Sequence, residues 1–128
     1  MVSVKNGWFR DSSGRTLILR GVNLGGSSKY PARPDGRSHV RDGFYDWKDV
    51  SFVGRPFPLE EAEAHLRRLK LWGFDFFRLL VPWEAVEHAG PGVYDREYLD
   101  YLKALVAKAG EQGLRLFIDP HQDCWSRW

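Results

Sequence analysis

The stretch 114–128, LRLFIDPHQDCWSRW, changes chemistry abruptly. Leu114, Leu116 and Ile118 fall on one side of an extended run and Phe117 on the other. After Pro120 the residues are ones a strand has no packing use for. Side chains alternate along extended backbone, so a run that continues past Pro120 projects His121 and Asp123 the same way. Imidazole beside carboxylate suits a zinc or manganese ion, with Cys124 as a third candidate. With no other clustered histidine, that ligand set is incomplete.

The elements that must position these residues are legible from periodicity. Short apolar runs at 7–10 and 16–19 flank Asp11-Ser12-Ser13-Gly14, a turn signal, and predict a β-hairpin over 7–18. A first sheet strand follows and ends near Asn23. From Leu24 to Pro58 no period is sustained, and a loop of this length inside a compact domain is usually functional or disordered. Its aromatic residues, Tyr30, Phe44, Tyr45, Trp47, Phe52 and Phe57, argue for order.

Leu59, Ala62, Leu66 and Leu69 form one helical stripe. Glu60, Glu61 and Glu63 lie in its first turn, Arg67, Arg68 and Lys70 in its last, and Gly73 supplies a left-handed stop. FDFFRLLV at 74–81 is apolar on both faces, as in a covered parallel strand. The stretch VPWEAVEHAGPGVY reads as a second loop. Asp95 caps a second helix from Arg96 to about Gln112, with Tyr98, Leu102, Leu105 and Ala109 on one face, and Gly113 closes it before LRLFID. Helix-to-strand connections are minimal and strand-to-helix connections long, so the binding face lies at the carboxyl ends of the strands.

Composition narrows the class. The chain has 128 residues, 43% hydrophobic and 28% charged, which suits one soluble globular domain over 1–128. A net charge of +2 without a basic block gives no electrostatic footprint for nucleic acid. The lone Cys124 forms no internal disulfide, the first ten residues carry no apolar signal core, and Arg78 and Pro82 interrupt the longest apolar run. A cytoplasmic protein without stable membrane insertion is the expectation. Six tryptophans supply either core or stacking surfaces for rings.

A dinucleotide fold requires GxGxxG between the first strand and its helix. GVNLGG followed by a long loop lacks that mechanism, and a phosphate-cradling GxxxxGK is missing too. What remains is an α/β fold of the (β/α)8 TIM-barrel type, whose strand ends hold Asn23, Arg78, Asp119, His121 and Asp123. Such a barrel takes eight strands and about 250 residues. Three strands are present over 19–128, so the chain is expected to be the front third of an incomplete barrel. Alone, it should expose strand edges and the interior face.

RGVNLGG at 20–26, FFRLLVPWEAVE at 76–87, PGVYDREYLDYL at 91–102 and DPHQD at 119–123 together resemble the amino-terminal third of a family 5 glycoside hydrolase. NLGGSSKYP and DPHQDCWSRW are similar to the endoglycoceramidase-related branch, which includes fungal enzymes cleaving glucosylceramide or steryl β-glucosides. The resemblance implies a retaining mechanism with two glutamates about 5 to 5.5 Å apart, on a fourth and a seventh strand. Neither is among these residues, so no catalytic residue is assigned and the 128 residues alone are expected to be inactive. Glu84, Glu87 and Asp119 are not put in their place.

The resemblance implies a supporting cast instead. His121 and Asp123 match positions that hydrogen-bond sugar hydroxyls, as Lys29 does from the first loop. Arg78 matches an arginine that supports the nucleophile, the alternative being a structural ion pair with Asp75 or Asp119. The implied partner is a carbohydrate or glycolipid substrate, with no cofactor and no metal. Trp83, Trp125 and Trp128 are candidates for stacking on sugar or aglycone, whereas His39, His65 and His88 carry no assigned role. The rival readings are a metal-dependent barrel hydrolase using His121 and Asp123, and a truncated product without catalysis.

Overall fold

In a computed structural model of the chain, the residues described are 2–37, 39–43 and 45–123. Two short antiparallel strands, β1 (Ser3–Lys5) and β2 (Trp8–Arg10), pair across a turn at Asn6 and Gly7. Both turn residues have positive φ, at 52° and 77°, the conformation a tight two-residue hairpin requires. The Asp11-Ser12-Ser13-Gly14 turn forms as well: Arg10 and Thr16 make an antiparallel bridge, and the Leu17 amide donates to the Phe9 carbonyl at 2.8 Å. The first arm expected over 7–18 is thus β2, which pairs with β1 before it, while the second arm at 16–19 meets β2 only at that bridge and amide. Asp11 holds this turn: its carboxylate takes the Ser13 and Arg15 amides and pairs with the Arg15 guanidinium.

Three parallel strands follow, β3 (Gly21–Leu24), β4 (Phe76–Pro82) and β5 (Arg115–His121), in that spatial order. Gly21 pairs with Phe76, and a Cβ on it would lie 2.7 Å from the Phe76 carbonyl oxygen. Glycine is what lets these strands close up. Asp75 ties the three strand beginnings together. Its amide donates to the Arg20 carbonyl, its carboxylate accepts from the Arg20 amide, and its carbonyl accepts from the Arg115 amide.

Helices α1 (Ala62–Leu71) and α3 (Arg96–Glu111) cover one face of this sheet. Phe77, Leu79 and Val81 of β4 bury there with Ala62, Leu66 and Leu69 of α1, and Tyr98, Leu102, Leu105 and Ala109 of α3. The stripes anticipated from 3.6-residue spacing are thus the buried ones. α1 starts three residues later than its Leu59 signal, because 58–61 form a turn in which Glu61 donates to the Pro58 carbonyl and Ala62 to that of Leu59. Asp95 caps α3 by accepting from the Tyr98 amide at 2.9 Å. Both helices end alike. Gly73 and Gly113 take positive φ, and the next residue donates back across the last turn, Phe74 to Leu69 and Leu114 to Ala109.

The long first loop is ordered by its own apolar residues: Val50, Phe52 and Phe57 are buried in the same core. Its limbs pair at Arg33 and Ser51, and the Tyr101 hydroxyl donates to the Phe57 carbonyl at 2.7 Å. The second loop is not structureless. It opens with a five-residue helix, α2 (Trp83–Glu87), too short to show a period. On the opposite face Leu80 is buried but Phe117 is exposed, so that face of the sheet is covered only in part.

Candidate functional site

Register places the polar residues. Asn23 pairs with Arg78, Arg78 with Phe117, and Pro82 with His121, so Asn23, Arg78, Asp119 and His121 share the face turned from the helices. β5 runs through Pro120 to His121, which keeps Asp119 and His121 in phase. From the carboxyl end of β3 the chain turns at Gly25, with φ 122°, into a 3-10 turn (Gly26–Lys29). That turn brings Lys29 over the strand ends.

These residues form one continuous array. The Lys29 ammonium lies 2.6 Å from Asp123 Oδ2, and Asp123 Oδ1 lies 2.9 Å from His121 Nε2. His121 Nδ1 is 3.0 Å from Asp119 Oδ2, and that oxygen accepts from an Arg78 terminal nitrogen at 2.5 Å. The other terminal nitrogen of Arg78 reaches Asn23 Oδ1 at 3.4 Å. The four residues expected at the site, Lys29, Arg78, His121 and Asp123, are brought together, with Asp119 as the link between them.

Exposure grades along the array. The Lys29 and Asp123 side chains are 43% and 53% exposed, those of Asp119 and His121 only 19% and 21%. An exposed ion pair contributes about 0 to 1 kcal/mol, so the outer pair orients more than it stabilises. The hydrogen bond from Lys29, then that from His121, holds the Asp123 carboxyl below the ordinary carboxylate range. Arg78 meets Asp119, one of the two alternatives raised for it, while Asp75 is occupied at the strand beginnings. Beneath Arg78 on the face turned from the helices is a cavity of about 320 Å³ bordered by Asn23, Phe76 and Phe117.

Chemically the array is a dense set of donors and acceptors without a spare nucleophile. Both nitrogens of His121 face carboxylates, so metal ligation by the ring would break existing bonds. Among the described residues no group of three or more His, Cys, Asp or Glu side chains is placed to hold a metal ion. Cys124, Trp125 and Trp128 lie outside the described residues. Glu87 is engaged locally: it accepts from the Trp83 indole at 2.6 Å and from the Gly92 amide at 2.5 Å, bonds that lower its pKa in that order. Trp83 itself is about half exposed just past the end of β4.

One histidine passed over in the sequence is well held. His88 Nδ1 lies 2.6 Å from the Lys48 carbonyl and Nε2 3.2 Å from Asp95 Oδ2, with the His88 side chain 13% exposed. It fastens the first loop to the cap of α3. Its partner Lys48 is 40 residues away, so no local signal could have pointed to it. His65 stacks on Phe57 with ring centres 4.5 Å apart, a packing role.

Residues 37–128 match the model of the cellulase family, glycosyl hydrolase family 5. A glucosylceramidase of Rhizopus delemar is 56% identical over 94% of the chain and 18% of its own length. The ergosteryl-beta-glucosidase of Saccharomyces cerevisiae is 43% identical over 96% of the chain and 17% of its own. Sterylglucosidase 1 of Cryptococcus neoformans superposes with a TM-score of 0.85 at 46% identity, over 93% of the chain and 17% of that structure. An exo-beta-1,4-mannosidase from an Opitutaceae bacterium superposes at 0.62 with 25% identity, over 98% of the chain and 19% of that structure. The chain thus spans about a sixth of the length of the curated relatives it matches.

Proposed function

Because the chain belongs to glycosyl hydrolase family 5, with three parallel strands and their helices that are a piece of that family's barrel, we propose that it forms the amino-terminal part of a retaining β-glucosidase. The substrate is a β-glucoside with a lipid aglycone, of the glucosylceramide or steryl glucoside kind. The observation that carries this reading is the array Lys29, Asp123, His121, Asp119 and Arg78 at the carboxyl ends of the strands. A sugar ring presents many hydroxyls, and each one buried without a partner costs about 1 to 3 kcal/mol, so its subsite must be dense in polar groups. The names of the relatives support the aglycone class.

In this reading Lys29 and Asp123, the exposed end of the array, take hydroxyls of the glucose in the cleaved subsite, with His121 beside them. Arg78, with one edge of its guanidinium on Asp119, directs its remaining donors to the nucleophile carboxylate. Nucleophile and acid/base glutamates come from strands that this segment does not contain, so the segment alone is inactive. The (β/α)8 barrel is completed by the same missing strands.

The test is hydrolysis of glucosylceramide, a steryl β-glucoside and an aryl β-glucoside by the complete protein, with the anomer of the released sugar followed by proton NMR. Release of β-glucose first is expected. First release of the α-anomer would overturn the retaining mechanism, and hydrolysis of none of the three would overturn the glucosidase reading.

A further inference from the structure

We propose that Asp119 is a positioning residue that couples Arg78 to His121, making the nucleophile-supporting side and the sugar-recognising side of the site one mechanical unit. The proposal rests on the glucosidase reading above and adds a role for a carboxylate which that reading uses only as an anchor for Arg78.

The geometry is specific to one atom. Asp119 Oδ2 accepts from Arg78 at 2.5 Å and lies 3.0 Å from His121 Nδ1, whereas Arg78 and His121 approach each other only to 3.3 Å. Arginine is a donor only. A proton on Nδ1 therefore puts two donors side by side, and the shared carboxylate oxygen is the acceptor that lets both point the same way. Tilting the guanidinium shifts that oxygen, and the ring must follow. Beyond the ring the chain of contacts continues through Nε2 to Asp123 and Lys29.

The surroundings suit a positioning role better than a reacting one. Asp119 sits within β5, opposite Leu80, on a backbone held by the parallel ladder. Its side chain is only 19% exposed, and Arg78 and His121, which it meets, are cationic or capable of being so. Bonds of this charge-assisted kind are about twice as strong as neutral ones. Asparagine at this place keeps the shape and one acceptor oxygen but removes the charge that strengthens both bonds.

A coupling cycle tests this in the complete enzyme. Arg78→Lys and His121→Gln are made singly and together, in the Asp119 protein and in Asp119→Asn, with kcat/KM measured on an aryl β-glucoside and thermal midpoints recorded. In the Asp119 protein the double variant should lose at least fivefold less than the product of the single losses. In the Asp119→Asn background that deficit should shrink to twofold or less, because the shared acceptor is no longer charged, and Asp119→Asn alone should lower kcat/KM at least tenfold. Coupling that stays fivefold or more in the Asp119→Asn background would assign it to the direct contact and overturn the proposal, as would Asp119→Asn within twofold of wild type. If Asp119→Asn does not fold, Asp119→Ser with added formate replaces it, and failure of formate to restore activity counts against the proposal. An inactive wild type would refute the glucosidase reading instead, and the cycle read on thermal midpoints would still decide the coupling.

Discussion

His121→Ala in the complete enzyme is the perturbation whose size can be worked out from these contacts. The ring makes two carboxylate contacts, at 3.0 Å to Asp119 and 2.9 Å to Asp123. Removing it takes a partner from each carboxylate and, in the proposed reading, one from the bound glucose. A hydrogen bond to a charged group contributes about 1.5 to 3 kcal/mol. Loss of one such bond to the substrate, with some disorder in Asp123, amounts to about 2 to 4 kcal/mol, or roughly 30- to 1,000-fold in kcat/KM at 1.36 kcal/mol per tenfold. Stability should change far less, because Asp123 is 53% exposed and regains water, and Asp119 keeps Arg78. The assay is initial-rate hydrolysis of an aryl β-glucoside, paired with a thermal melt of the same preparation. Activity within threefold of wild type at an unchanged midpoint would remove His121 from the site. A comparable loss with a collapsed midpoint would make it a folding residue, which its position at the strand end does not predict.

Three further outcomes are expected. Lys29→Met removes the largest cause of the lowered Asp123 pKa, so carboxyl NMR should show that pKa rise; an unmoved titration would refute the contact. The sign is that of a depressed acid: the stabilisation from this pair is present above the unfolded value of 3.8 and is lost as pH falls through the folded one. Burial raises the Tyr101 hydroxyl to about 12, so its contribution is complete below the unfolded value of 10.0 and fades as pH climbs through the folded one. Tyr101→Phe, which strips the bond to the Phe57 carbonyl, should cost about 1 to 3 kcal/mol by denaturant unfolding and flatten that alkaline decline. Expressed by itself, residues 1–128 should self-associate, since Phe117 and Ile118 are exposed at 56% and 47% on β5. A sharp, reversible melt independent of concentration would refute this.

How far the sequence disclosed this structure depends on how local each signal is. α1 and α3 were legible because their buried stripes recur every three to four residues and because Asp95, Gly73 and Gly113 punctuate them. β4 and β5 were legible as apolar runs. The turn at Asp11-Ser12-Ser13-Gly14 was legible, but the ladder around Asn6-Gly7, whose flanks are short and exposed, was not. α2 fell below the length at which periodicity can speak. Within the site, alternation along β5 puts Asp119 and His121 in phase, whereas Asp123 stands past the end of the strand, in a bend, and reaches His121 Nε2 from there instead of by continued extended backbone. The meeting of Lys29 with Asp123 could not be read from alternation, because it depends on how a non-periodic loop folds back; only family resemblance named Lys29. The union of Arg78 with Asp119 and His121 follows from strand register, which a sequence does not state.

The matching ends of α1 and α3 have a consequence for how such a protein can change. Each helix leaves through a left-handed glycine and one back-reaching amide, and the next strand begins within a residue or two. Helix and strand are thus phased to each other by a joint that repeats, independent of anything at the opposite rim. Variation in the exposed parts of the rim segments leaves that joint untouched, whereas Val50, Phe52 and Phe57 of the first loop are held in the shared core. The exposed parts of one rim can therefore be rewritten while the joints at the other are inherited intact. The reverse is not open: replacing Gly73 or Gly113 by a branched residue would disturb the phase of a whole strand, and with it the residues carried at its far end.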